Sequence, residues 1–135
     1  MYKVVLDTNV LVSALWSKQG NPYKILEMFF KGEITLCYCT EIVEEYNEVL
    51  HREKLGFSDE KVLDLLSEIA ENGIYVETSI SDIPFIDEDD KKFYDAAKTC
   101  DAIVVTGNKK HYPDNPSILS PAEFIKKYQE SSFLQ

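Results

Sequence analysis

Two short apolar runs, far apart in the chain, constrain its fold most. Tyr2 to Leu6 is partly β-branched and is stopped by the polar triplet Asp7-Thr8-Asn9. Ala102 to Thr106 has the same character and leads into Gly107-Asn108. Runs this short and apolar read as buried strands of a parallel sheet. The residues between them alternate strand and helix signals. Thr8 or Asn9 is placed to cap a helix running to about Trp16, and Pro22 suits the first turn of another, which Gly32 ends after Lys31. Ile34 to Cys39 is a second strand, and Thr40 is placed to cap a helix from Glu41 to about Glu53. Ser58 opens a helix ending at Asn72-Gly73, and Ile74 to Val76 is a brief third strand. Beyond a loop from Ser79 to Phe85, Asp87 to Cys100 reads as a helix whose acidic first turn suits the helix dipole. Ser117 to Leu119 is a last short strand, and Ser120-Pro121 begins a terminal helix. This alternation predicts an α/β chain with a parallel sheet of four to five strands, covered on both faces.

A length of 135 residues suits one domain spanning 1–135, and a hydrophobic content of 44% supplies its core. The formal net charge of -10 excludes a generic binder that coats nucleic-acid phosphates, which would be basic. It does not exclude an enzyme acting on nucleic acid, because carboxylates that hold cations are neutralised locally. It also suits a basic protein partner. The three cysteines, Cys37, Cys39 and Cys100, form neither a C-x-x-C pair nor an even set. They read as small buried hydrophobes in a reducing compartment. Asp7 comes too early for a secretory signal, and no apolar run is long enough to span a membrane. The expectation is a soluble, cytoplasmic protein.

Sites in open parallel sheets form at the carboxyl ends of strands. Asp7 stands at such an end, as does Thr106-Gly107-Asn108. The competing reading of Asp7 is a helix cap alone, although three short polar residues stand where a cap needs one. In the helix from Glu41, residues Ile42, Val43, Tyr46, Val49 and Leu50 define a buried stripe. At about 100° per residue, Glu41, Glu44 and Glu48 point away from that stripe and Glu45 lies at its edge. In the helix from Asp87, Phe93, Ala96, Ala97 and Cys100 mark the buried side. Asp90 projects on that side, Asp89 lies off it, and Asp95 falls almost opposite, as a solvated charge. An inward carboxylate is costly unless paired or metal-bound, although Asp90 also suits the positive helix end. Asp7, Glu45 and Asp90 thus form three inward acids from three separate elements. Their mutual repulsion is relieved by a divalent cation, and an all-oxygen set suits Mg²⁺ or Mn²⁺. Such ions commonly serve phosphoryl chemistry.

The segments VVLDTNVLVSAL, EIVEEYNEVLHREKL and DEDDKKFYDAAKTCDAIVVTGNKKHYP, in this order, resemble a PIN-domain protein over nearly the whole chain. The nearest resemblance is to the toxin components of bacterial and archaeal toxin–antitoxin pairs. It implies a three-layer α/β/α sandwich, often dimeric, and a ribonuclease selective for single-stranded RNA that uses Mg²⁺ or Mn²⁺. The family's first acid matches Asp7, the polar residue two further on matches Asn9, and the second and third acids match Glu45 and Asp90. A fourth acid often follows the Thr-Gly step, where this chain has Asn108. Asn108 supplies a neutral oxygen, which weakens a second metal position. The resemblance therefore implies catalytic roles for Asp7, Glu45, Asp90 and Asn108, with Asn9 and Thr106 in support.

Lys109, Lys110 and His111 form the most compact basic patch beside this site and are candidates for substrate phosphate contact, the alternative being a solvated loop. His51, Arg52 and Lys54 suit the negative end of the middle helix. Trp16, Phe29 and Phe30 read as core or dimer packing in preference to base stacking. Two other functions remain open: a non-catalytic PIN module that binds RNA or an antitoxin, which Asn108 keeps alive, and a phosphotransfer protein built on Asp7. Phosphatases of the latter type carry a second Asp two residues on, where this chain has Asn9.

Overall fold

A computed structural model describes residues 1–134. Strand β1 is Lys3–Leu6, followed by helices α1, Thr8–Trp16, and α2, Asn21–Phe30. Strand β2 is Thr35–Tyr38, followed by α3, Thr40–Leu50, and α4, Asp59–Asn72. Strand β3, Ile74–Tyr75, leads through a long irregular segment to α5, Lys91–Cys100. Strands β4, Ile103–Val105, and β5, Ile118–Leu119, precede α6, Pro121–Leu134. Short 3-10 turns occupy Glu53–Leu55, Glu88–Asp90 and Lys109–His111.

The five strands among the described residues are all parallel, in the order β3-β2-β1-β4-β5. The apolar runs of the sequence become the middle of this sheet, and Val4, Val5, Val104 and Val105 are almost wholly buried. Parallel strands with both faces covered need such runs. The chain first moves outward from β1 to β3, then returns to place β4 on the other side of β1. The strand order therefore reverses between β1 and β4, and their carboxyl ends open a crevice there.

Several predicted boundaries shift. Thr40 does not cap α3: Cys39 holds the cap position and Thr40 is the first helical residue, its hydroxyl paired with Tyr75. Helix α3 ends at Leu50, short of Glu53, and the chain turns again at Glu53–Leu55. Neither Thr8 nor Asn9 caps α1, because the helix already begins at Thr8. The expected helix from Asp87 is broken: Glu88–Asp90 winds as a 3-10 turn and Asp90 occupies the α5 cap position. Ser58 does cap α4, accepting from the Lys61 amide. Gly73 is required where α4 meets β3, since a Cβ there would lie 2.5 Å from the Ile69 carbonyl oxygen and 2.7 Å from that of Leu36.

Asp95 is the clearest correction. It is only 5% exposed, so it is no solvated charge. The helical wheel assumed one buried side, but the segment between β3 and α5 packs over the other. Phe85 lies against Tyr94, with ring centroids 5.4 Å apart, and the Ser79 amide reaches Thr99. Among the described residues, Asp95 Oδ1 and Ser81 Oγ are buried without hydrogen-bond partners. Phe29 joins the core, whereas Trp16 and Phe30 stay exposed, Trp16 packing edge-on against Phe57. No helix among the described residues is long and apolar enough to cross a membrane.

Candidate active site

The crevice is built from the two strand ends. Leu6 pairs with Val105, and the Asp7 amide donates to the Val105 carbonyl at 3.0 Å, so Asp7 and Thr106 emerge side by side. Asp7 holds the cap position of α1 but makes no side-chain cap. Its Oδ2 instead accepts from the Thr106 hydroxyl at 2.8 Å and from the Tyr112 hydroxyl at 3.0 Å. The reading of Asp7 as a cap alone therefore fails. The Thr106 hydroxyl also accepts from the Asn108 amide, and the Asn9 side-chain oxygen accepts from the Gly107 amide. Asp7-Thr8-Asn9 is thus laced to Thr106-Gly107-Asn108.

Helix α3 brings in Glu45. The neighbouring Tyr46 donates to the Leu6 carbonyl at 2.5 Å and stacks on Phe93, which fixes α3 against β1 and against α5. That anchor turns Glu45 to the site, half-buried, while Glu41, Glu44 and Glu48 face solvent. Thr8 donates to one Glu45 oxygen, and Lys92 pairs with the other at 2.7 Å. Asp90, at the start of α5, has a side chain 16% exposed and lies 3.4 Å from His111.

Asp7 and Asp90 both carry carboxyls with a raised pKa. Burial pushes the Asp7 carboxyl up, the donors Thr106, Tyr112 and Asn9 pull it back, and the Glu45 charge raises it again. Burial lifts Asp90 to about 6, with further upward pushes from Asp7 and Asp87, against His111. Burial likewise holds the Tyr46 and Tyr112 hydroxyls far above their ordinary range, so both stay donors.

The remaining sequence candidates frame this centre. Asn108 is exposed at the rim. Lys109 is tied to Glu123 at 2.9 Å, and Lys110 is exposed with no ion pair among the described residues. The sequence marks Thr8 only as a helix cap and gives Lys92 and Tyr112 no site role. They lie inside the PIN-resembling segments, but their contacts with the acids arise from tertiary approach, which neither periodicity nor the motifs mark.

The sequence pattern described as the PIN domain matches residues 3–110. The chain belongs to the PIN-domain family. An uncharacterized protein of Methanocaldococcus jannaschii is 29% identical to it over 144 aligned positions, covering 95% of this chain and 92% of that protein. PIN domains are nucleases that generally work with divalent metal ions, which assigns this PIN domain to the nuclease class of hydrolases.

The residues of this PIN domain fit such an ion by their chemistry. The donors are carboxylate and amide oxygens, and the upward push of Glu45 on Asp7 and of Asp7 on Asp90 is a repulsion that a hard cation relieves. Among the described residues, no three acidic, His or Cys side chains converge into a ready-made cage. Two of the acids are instead engaged by other side chains, Glu45 by the Lys92 ammonium and Asp90 by the His111 ring.

Proposed function

We propose that this PIN domain is a Mg²⁺- or Mn²⁺-dependent endoribonuclease that hydrolyses single-stranded RNA. The observation that carries the reading is the placement of Asp7 at the strand-order reversal, with Glu45 and Asp90 close enough for their charges to interact. Asp7, Glu45 and Asp90 are the residues that would hold the ion. When bound there, it supplies a Lewis acid for a phosphoryl oxygen and lowers the pKa of water. The rest is work for the chain. Thr106 and Tyr112 fix the orientation of the Asp7 carboxylate, and Asn9 and Thr106 hold the Gly107 and Asn108 amides at the rim. Lys109 and Lys110 meet backbone phosphates, with Lys109 exchanging an exposed ion pair for an RNA contact. His111 keeps Asp90 turned inward.

On the resemblance of its sequence to toxin components, we further propose that the protein is the toxin of a toxin–antitoxin pair, acting in the cytoplasm as a homodimer. The net charge of -10 favours a basic antitoxin. An apolar groove of about 430 Å³ between α1, α2 and α4, lined by Leu15, Tyr23, Leu26, Phe30 and Leu65, offers that partner a surface.

The deciding assay is cleavage of a mixed single-stranded RNA pool with Mn²⁺. The wild type is expected to cut, and Asp7→Asn to lose about a thousandfold or more in rate, the scale of losing a group that acts in the transition state. No cleavage of any RNA by the wild type refutes the enzyme reading. Binding without cleavage would favour the alternative, an inactive PIN module that holds RNA or an antitoxin, which Asn108 and the internal pairs of Glu45 and Asp90 keep in view.

A further inference from the structure

Lys92 stands at the Glu45 side of the acidic cluster. Its side chain is 20% exposed, and its ammonium meets Glu45 Oε1 at 2.7 Å. The same ammonium donates to the Asp89 carbonyl and lies 5.2 Å from the centre of the Phe93 ring. A carboxylate, a carbonyl and a ring face together fix a charge that an ordinary surface lysine leaves mobile. Thr8 engages the other Glu45 oxygen, so the chain itself occupies both. Phe93 in turn is fully buried and stacked on Tyr46, which pins the start of α5 beside Glu45.

Charge balance then constrains what the cluster will accept. The inward carboxylates are Asp7, Glu45 and Asp90, and Asn108 adds none. One ammonium and one divalent ion neutralise three carboxylates, whereas two divalent ions beside that ammonium leave the pocket with two excess positive charges. Uncompensated charge in a half-buried site is disfavoured whichever its sign.

We propose that Lys92 is a built-in second cation, taking beside Glu45 the place of a second divalent ion, so that the site holds one divalent ion per chain. The proposal rests on the metal-dependent reading of the site given above. Lys92 acts through Glu45 and is a positioning residue: it holds the carboxylate turned inward and sets the charge the pocket still requires.

The test is a Mn²⁺ titration of the full chain without RNA, followed by calorimetry and by the electron paramagnetic resonance of free Mn²⁺. The wild type and Lys92→Arg are expected to bind one ion per chain. Lys92→Met is expected to bind two, because the place beside Glu45 is vacated and the excess charge of a two-ion site falls from two to one, and to bind the first about tenfold more tightly. Two ions on the wild type, or one ion on a folded Lys92→Met, overturn the proposal. Should Lys92→Met lose its circular dichroism, Lys92→Gln carries the same expectation, and a wild-type count of two overturns it with no variant at all. Failure of the wild type to bind any Mn²⁺ refutes the metal-dependent reading itself, and the proposal with it, which sets that result apart from a wrong ion count.

Discussion

Asp90 offers a test in which stability and function move in opposite directions. Burial, then the charges of Asp7 and Asp87, lift its carboxyl from 3.8 to about 6, with His111 opposing. A shift of that size corresponds to about 3 kcal/mol against the charged form. The side chain keeps 16% of its exposure, and solvent screening brings the usable share to about 1–2 kcal/mol. The folded pKa lies above the unfolded one, so the folded chain holds the proton more tightly. The stabilisation is present below about pH 4 and is lost as pH rises through 6. At neutral pH the ionised Asp90 therefore weakens the metal-free fold. Asp90→Asn keeps the shape and removes the charge. In urea unfolding with EDTA at pH 7.5, the variant is expected to be about 1–2 kcal/mol more stable than the wild type, or about 3–6 °C in Tm. The gain should fade toward zero by pH 4. Adding Mn²⁺ should reverse the order, because the wild type then gains binding free energy that the variant lacks. A variant less stable than the wild type at pH 7.5 in EDTA, or a gain equal at both pH values, would refute this account.

Two further substitutions separate structure from substrate contact. Tyr112→Phe removes a buried donor to Asp7, 3.0 Å away. It should cost about 1–2 kcal/mol in urea unfolding at pH 7.5 and move the acid limb of the pH–rate profile upward, since a contact that lowers the Asp7 pKa is gone. Lys109→Ala breaks only an exposed pair with Glu123, so its stability should stay within about 0.5 kcal/mol of wild type. Its RNA affinity should fall and the salt slope of binding should flatten by about 0.7 if the lysine meets one phosphate of a single strand.

Whatever depends on local pattern was legible in the sequence. The apolar runs before Asp7 and Thr106 mark the central strands because a strand covered on both faces has no polar side. Glu45 is legible because one helix face is buried and the residue sits at its margin. Asp95 was misplaced because a helical wheel knows nothing of a loop arriving from elsewhere, and the 76–87 segment buries that second side without any periodicity of its own. Asp90 was placed on the correct side but in the wrong element, since an acidic stretch suits a 3-10 turn and a helical first turn equally well. Thr8, Lys92 and Tyr112 were illegible for a related reason. Each meets its carboxylate only when two distant segments are packed together.

The lacing of the two strand ends bears on when the chain becomes dangerous. Asp7 is made early, and its hydroxyl donors lie 99 and 105 residues further on. A growing chain thus carries the acid long before it carries the groups that orient it, and local helices cannot supply them. The orienting contacts come into being only with the β1–β4 pairing, a long-range event in folding. If the proposed nuclease activity holds, a half-synthesised or truncated copy is inert, and the cell meets an assembled site only in a finished molecule.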